Sequence, residues 1–307
     1  MGIAKTTQKV YNKCVMEERK MNIANNWKDY EIIDMADGEK LERWGKVILV
    51  RPDPQIIWKD KSFPSKWKNI NAKYNRSKTG GGSWEYVNNL PKAWQIKYKN
   101  LTFNIKPMGF KHTGLFPEQA VNWSLMSELI KGKKDVKVLN LFGYTGAATL
   151  ACAAAGAQVT HVDASKGMVL WAKDNAVASG LADKPIRWLV DDCIKFVRRE
   201  IRRGNKYDGI VMDPPSYGRG PNGEIWKLEE QIYELLELCD QLLSDKPLFF
   251  LLNSYTTGLS PCVMKYLVTS VISSKRGGTV ECDEIGLSVT STGLALPCGN
   301  TAVWRCD

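Results

Sequence analysis

The 307-residue chain carries 43 Lys+Arg against 33 Asp+Glu, a formal charge of +10, with 44% hydrophobic and 25% charged residues. Those proportions exclude a disordered, collagen-like or low-complexity polymer, and the length allows one large domain or two ordinary ones. No apolar run nears the ~20 residues of a membrane span, the N-terminus lacks an apolar secretion signal, and eight cysteines with no C-x-x-C pair beside only two histidines argue against a disulfide scaffold or a metal site, which leaves a cytoplasmic thiol protein.

In chain order, residues 1–25 are polar and lysine-rich without periodicity and predict a basic arm. Residues 26–105 predict a small β-rich N-terminal domain: EIIDM, the turn ADGE, VILV closed by Arg51-Pro52, the loop SKTGGGS (77–83), then WQIKY and LTFNI paired across Lys99-Asn100. Residues 1–104 hold twenty Lys+Arg against eleven Asp+Glu and six of the eleven tryptophans: Trp27, Trp44, Trp58, Trp67, Trp84 and Trp94. Cations interleaved with aromatic faces suit a polyanion with exposed bases, and equally a β domain with a tryptophan core and a solvated lysine surface.

Residues 106–307 alternate strands and helices. A helix over Glu118–Lys131 is expected to bury Val121, Leu125, Met126, Leu129 and Ile130, and is followed by the strand VKVLNLF (136–142) and a small-residue helix ended by Gly156. QVTHVD (158–163), a helix to Ser179, IRWLVDD (186–192), a helix to Gly204, YDGIVMDPP (207–215), a helix over 228–243 and PLFFLLN (247–253) complete the alternation. TVECDEIGL and TAVWR form an antiparallel closing hairpin. The pattern predicts an α/β fold, a doubly wound Rossmann-like sheet of seven mostly parallel strands.

In such a sheet the ligand binds past the carboxyl ends of the strands, where the winding reverses. There lie Asn140, Phe142, Gly143, Tyr144, Thr145 and Gly146 after the first strand, Asp163 and Ala164 after the second, Asp191, Asp192 and Cys193 after the third, and Asp213, Pro214, Pro215 and Ser216 after the fourth. A tight turn entering a helix offers backbone N–H groups to a ligand, Asp163 is placed for ribose hydroxyls, and Asp192 suits an adenine edge. A dinucleotide loop needs G-x-G-x-x-G, but Phe142 and Tyr144 occupy positions where glycine makes room for pyrophosphate, so S-adenosylmethionine fits better than NAD.

NLFGYTG (140–146), VDAS (162–165), WAKDNAVASGL (171–181), DD (191–192), DPPS (213–216) and KHTGLFPEQAVNW (111–123) resemble the class I S-adenosylmethionine-dependent methyltransferases, in particular the branch of bacterial 23S rRNA base methyltransferases, cytosine-C5 and guanine-N7. The resemblance covers residues 105–307 strongly and the β-rich unit from Asp29 more weakly. It implies that Phe142 to Gly146 wrap the methionine part, Asp163 holds the ribose, and Asp192 the adenine amine, with Ala164 and Cys193 along the ring. Thr113, Phe116 and Gln119 would cover the cofactor. Asp213 and Pro214 would stand between sulfonium and target base, with Asn253 and Tyr255 orienting the base and Ser216, Tyr217 and Arg219 on the substrate side. The 5-methylcytosine members carry a cysteine just after the fifth strand; this chain reads LNSYTTG (252–258), and Cys262 is the closest in sequence. A nitrogen target is thus at least as well supported as carbon.

Simpler readings stand beside these. Asp163 and Asp192 suit helix caps, His112 and His161 structural roles, and Lys195, Arg198, Arg199, Arg202, Arg203 and Lys206 a solvated surface. The glycine loop 218–223 suits a substrate gate or a plain turn. The expected function is methylation of a nucleobase in ribosomal RNA, with a homodimer compatible. The rivals are a methyltransferase for a protein amine or small molecule, and a non-catalytic nucleic-acid-binding protein of this fold.

Overall fold

The computed structural model describes residues 21–77, 81–219, 225–256 and 258–306. Most of the expected basic arm, the centre of the glycine loop and the side chain of Arg219 fall outside them.

After the short β1 (Asn22–Ile23), β2 (Tyr30–Ala36), β3 (Glu39–Trp44), β4 (Val47–Pro52), β5 (Ala72–Arg76) and β6 (Gly82–Tyr86) form a five-stranded sheet in that order. The ADGE turn is present, with φ of 51° at Asp37 and 77° at Gly38, the left-handed pair that matches strand twist in a tight hairpin. EKLERW, unassigned from the sequence, is β3. Its charges conceal the alternation, because Glu42 points inward and is fully buried. Arg51 grips Glu42 with two hydrogen bonds (2.6 and 2.7 Å) and Tyr30 OH donates a third at 2.7 Å. Burial alone would raise the Glu42 carboxyl, but Arg51 and Lys40 hold it down to about 2.

β7 (Trp94–Tyr98) and β8 (Leu101–Ile105) pair as expected, with Lys99 at φ 51° in the turn. This hairpin lies against the next part of the chain: Asn104 N donates to Asn175 Oδ1, Thr102 N to Ser179 Oγ, and Phe103 packs on Trp123 with ring centroids 5.4 Å apart.

There follow α1 (Ala120–Ile130), β9 (Lys137–Leu141), α2 (Ala147–Ala154), β10 (Gln158–Asp163), α3 (Lys166–Ala178), β11 (Ile186–Val190), α4 (Cys193–Arg202) and β12 (Gly209–Met212). A small hairpin of β13 (Tyr217–Arg219) and β14 (Ile225–Lys227) leads to α5 (Leu228–Asp240), β15 (Phe249–Ser254), α6 (Pro261–Val268), β16 (Thr279–Ser288) and β17 (Ala295–Arg305). The sheet order is β1-β16-β17-β15-β12-β9-β10-β11. These are the seven strands expected plus β1; only β17 runs against the others among the described residues. The winding reverses beside β9, which lies between β10 and β12.

Alternation along the strands builds two cores. Val138, Val211, Phe249 and Leu251 face one side with α1, α2 and the N-terminal sheet, while Leu139, Ile210, Met212, Phe250 and Leu252 face the other with α4, α5 and α6. Gly209 lets the Phe249 ring lie against β12: a Cβ there would stand 2.5 Å from the ring.

Three details depart from expectation. α1 buries Ala120, Asn122, Trp123, Met126 and Ile130, while Val121, Leu125 and Leu129 are half-buried, because the bulky Trp123 turns the helix toward the β7–β8 hairpin. β11 is an edge strand with Val190 exposed, not a continuous buried run. Residues 261–276 coil as α6, a π-helical turn at Thr269–Ser273 and Ser274–Arg276, a helix the sequence reading left unassigned.

Candidate active site

The loop that leaves β9 alternates handedness. Phe142 (φ 56°), Tyr144 (49°) and Gly146 (85°) are left-handed, a geometry that is costly for the two aromatic residues. Neighbours hold it there. Gly143 N donates to Val162 O at 2.9 Å, Tyr144 N to Asp163 Oδ2 at 2.8 Å, and Phe142 N to Cys193 Sγ at 3.4 Å. Gly146 opens α2 with no side-chain cap, so the N–H groups of its first turn remain for a ligand. Asn140 points inward to Thr149 (2.8 Å), which bonds His161 Nδ1 (2.9 Å); His161 is structural, as expected.

Asp163 binds backbone on both oxygens, from Tyr144 N and Ser165 N, each at 2.8 Å. Burial raises its pKa against those two donors. Each oxygen keeps lone-pair capacity for another donor. Asp192 caps α4 by accepting from Lys195 N at 2.8 Å, Ala164 is exposed beside the turn, and burial holds the Cys193 thiol well above its ordinary range.

The segment before α1 covers this loop. Thr145 Oγ1 donates to Gly114 O at 2.6 Å, and Gly114 (φ 96°) lies against Trp171, where a Cβ would meet the ring at 2.3 Å. Thr113 Oγ1 is fully buried with no partner, an orphan a bound group could satisfy. Phe116 packs between Tyr144 and Tyr255, 5.5 Å from each, and His112 rests on it at 5.3 Å. Burial, then Arg51, Lys111 and Lys40, push the His112 pKa down to about 4.

One cleft is walled by Phe116, Gln119, Asn140, Phe142 to Gly146, Asp213 and Asn253, so these predicted residues are brought together. Thr113, Asp163, Ala164, Asp192 and Cys193 lie outside that wall, around the ends of β10 and β11 and behind the leading segment. At the end of β12, Asp213 Oδ1 accepts from Asn253 Nδ2 (2.9 Å) and Oδ2 from Gln119 Nε2 (3.5 Å), and no cation pairs with it among the described residues. Burial pushes its carboxyl up to about 7, with Glu118 adding to the rise and Asn253 opposing it. Pro214 is buried behind it.

The substrate-side residues spread more widely. Ser216 Oγ lies 2.6 Å from Thr256 Oγ1, Tyr217 is half-exposed on β13, and Arg219 pairs by backbone with Ile225. The two strands that flank the glycine loop in the chain, β13 and β14, pair as an antiparallel hairpin. Its Trp226 donates to Pro215 O at 2.6 Å and packs on Phe142 at 5.4 Å, which ties the hairpin to the loop that leaves β9.

Sequence reasoning missed four residues here. Glu118, 6% exposed, has its carboxyl raised by burial, and the Tyr255 OH near it accepts from Gln119 Nε2 at 2.9 Å. Asn122 follows Gln119 at i+3, a spacing that signals contact on a helix. Thr301 and Cys298 come from β17 and carry no local signal. Cys298, on β17, lies within electrostatic range of Tyr255 and Glu118, and burial followed by Glu118 holds its thiol well above its ordinary range. Cys262 is exposed on α6. In the basic run, Arg198, Arg199 and Arg203 pair with Glu234, Asp191 and Glu200. Among the described residues no His, Cys, Asp and Glu group could hold a metal ion, and no helix is long and apolar enough to cross a membrane.

A family profile described as S-adenosylmethionine-dependent methyltransferase matches residues 66–244. The ribosomal RNA large subunit methyltransferase K/L of Shewanella baltica is 36% identical over 144 residues, 46% of this chain and 20% of that protein, so the match spans about a fifth of that relative's length. A crystal structure of an S-adenosylmethionine-dependent methyltransferase from Agrobacterium tumefaciens superposes with a TM-score of 0.90 at 36% identity over 95% of each chain. A Streptococcus mutans protein assigned to the same class shares the fold, with a TM-score of 0.71 at 17% identity over 97% of this chain and 78% of that one.

Proposed function

Because this chain belongs to the S-adenosylmethionine-dependent methyltransferase family, we propose that it methylates a nucleobase of ribosomal RNA, at a nitrogen atom. The cofactor, when bound, supplies a methyl group already activated as a sulfonium. The residues present fit it: the orphaned Thr113 hydroxyl, the left-handed loop Phe142–Gly146, the uncapped start of α2, and Asp163 with lone pairs to spare. In this reading Phe142 to Gly146 receive the methionine part, Asp163 the ribose, and Asp192, Ala164 and Cys193 the adenine, with Thr113, Phe116 and Gln119 as the cover.

The observation that carries the reading is Asp213. Its two oxygens are held by neutral N–H donors, no cation among the described residues offsets its charge, and its carboxyl is pushed up to about 7. A carboxyl of that strength accepts a proton from a base amine or ring nitrogen near neutral pH, as general-base efficiency requires. Pro214 fixes the backbone at the mouth, and Tyr255 with Phe116 offers an aromatic wall for the base. Asn253 orients Asp213, while Ser216, Tyr217 and Arg219 border the substrate approach. Carbon methylation of cytosine would need a thiolate, and the Cys298 thiol, within electrostatic range of Tyr255, is held neutral. The similarity to the large-subunit rRNA enzyme of Shewanella supports ribosomal RNA as the substrate class.

The test is transfer of labelled methyl from S-adenosylmethionine to separate RNA, protein and small-molecule pools, followed by nucleoside mass spectrometry of RNA from cells with and without the gene. Loss of one N-methylated nucleoside supports the reading. Label confined to protein or small molecules, or a missing 5-methylcytosine, overturns it.

A further inference from the structure

The side chains around Asp213 form a closed hydrogen-bonded circuit. Asn122, only 2% exposed, donates from Nδ2 in two directions: to Gln119 Oε1 at 2.7 Å and to Thr301 Oγ1 at 3.0 Å. Along one arm Gln119 Nε2 then faces Asp213 Oδ2 at 3.5 Å. Along the other, Thr301 Oγ1 donates to Asn253 Oδ1 at 2.7 Å, and Asn253 Nδ2 donates to Asp213 Oδ1 at 2.9 Å. The bonds form one consistent set: Asn122 fills one lone pair of Thr301, the Thr301 proton goes to the Asn253 carbonyl, and the Asn253 N–H is thereby left to face Asp213, which when ionised can only accept. Both arms therefore end as donors on opposite oxygens of one carboxylate. Both donors favour the ionised carboxylate, because a proton on either oxygen makes it a poorer acceptor for the amide that faces it.

We propose that Asn122 and Thr301 are positioning residues that lock the donor direction of Asn253 and Gln119 and so keep Asp213 ionised and aimed as the proton acceptor. This rests on the reading of Asp213 as the base. The titratable neighbours are Glu118 on the turn before α1, Tyr255 beyond β15, Cys298 on β17, and Lys40 and Arg51 of the N-terminal sheet, which act on Glu118. Of these, Tyr255 touches the circuit, its OH accepting from Gln119 Nε2 at 2.9 Å. Thr301 comes from the closing strand, distant in sequence from every other member, and does not wall the cleft.

The test is Thr301→Val, which keeps the shape and removes the hydroxyl, with Thr301→Ser as rescue. The Asp213 carboxyl is titrated by carbon NMR, and kcat is followed against pH. Thr301→Val should raise the Asp213 pKa by at least about half a unit and move the acidic limb of kcat upward equally, leaving the Kd for S-adenosylmethionine unchanged. Thr301→Ser should restore both. An Asp213 titration identical in the unmutated protein and Thr301→Val overturns the proposal, as does a kcat loss at all pH values with no shift. Should Thr301→Val not fold, the unmutated protein decides: the side-chain amide protons of Asn122 and Asn253 should exchange far more slowly than exposed amides, and rapid exchange overturns the circuit. If the unmutated protein methylates no RNA, the functional reading fails, while the Asp213 titration still judges the circuit separately.

Discussion

Two shielded carboxylates, one in each half of the molecule, receive similar hydrogen bonds and end with opposite acidities. Glu42, in the N-terminal sheet, is fully buried, but Arg51 forks both of its oxygens and Lys40 stands 3.8 Å away; its pKa falls to about 2. Asp213, at the end of β12, also has a donor on each oxygen, but both donors are neutral amides, and its pKa rises to about 7. Hydrogen bonds alone do not offset burial here; a full positive charge does. The pair teaches how one chain turns a carboxylate into a structural anchor or leaves it with the acidity the proposed base needs, by giving or withholding a cation. Arg51 also serves the site at a distance, since its guanidinium donates to Lys111 O beside His112 and helps keep that imidazole neutral.

The sharpest break of this comparison is at the base. Asp213→Ala is expected to lower kcat by about 100- to 10,000-fold while leaving cofactor affinity close to normal, measured by single-turnover transfer and calorimetry. Joint loss of cofactor binding would move Asp213 out of the proton-accepting role. In the unmutated enzyme kcat should climb as pH rises through about 7, as Asp213 ionises.

The anchor should fail differently. Glu42→Gln leaves Arg51 buried without its charge partner and is expected to cost about 3–5 kcal/mol of stability in chemical denaturation, with normal kcat for the folded fraction. Since the folded pKa of Glu42 lies below its ordinary 4.5, its contribution is complete above that pH and drains away as pH falls toward about 2. The variant should lose this acid dependence, and an unchanged acid transition would show that Glu42 contributes nothing.

Smaller effects separate binding from chemistry. Asp163→Ala removes the clamp on Tyr144 N and the proposed ribose acceptor together. Charge-assisted hydrogen bonds are worth about 1.5–3 kcal/mol each, so the cofactor Kd should rise at least about tenfold by calorimetry. The mildest change, Cys298→Ser, should leave kcat within about twofold; an inactive but folded variant would revive covalent attack through a thiolate.

Much of the methyltransferase half was legible before any tertiary contact was known. Continuous apolar strands, glycine stops at Gly156, Gly180 and Gly204, and polar residues at strand ends each follow from short-range patterning, so the Rossmann-like sheet and the loop Asn140–Gly146 were readable. β3 escaped notice because its inward Glu42 breaks the apolar alternation, and only the Arg51 on the next strand makes that burial tolerable. The face of α1 was misjudged because helical periodicity names several apolar stripes, and packing of Trp123 on Tyr98 and Phe103 chose among them.

What the chain alone determined was which groups sit at the carboxyl ends of the strands, since strand period and turn chemistry are local. What tertiary structure decided was their protonation and partners. Asp213, Asn253, Gln119, Asn122 and Thr301 are separated by up to 182 positions, yet they close one circuit because β12, β15 and β17 are neighbours in the sheet and Asn122 of α1 reaches Thr301 of β17. A pKa depends on burial and on which charges come near, and both are set only when distant segments meet.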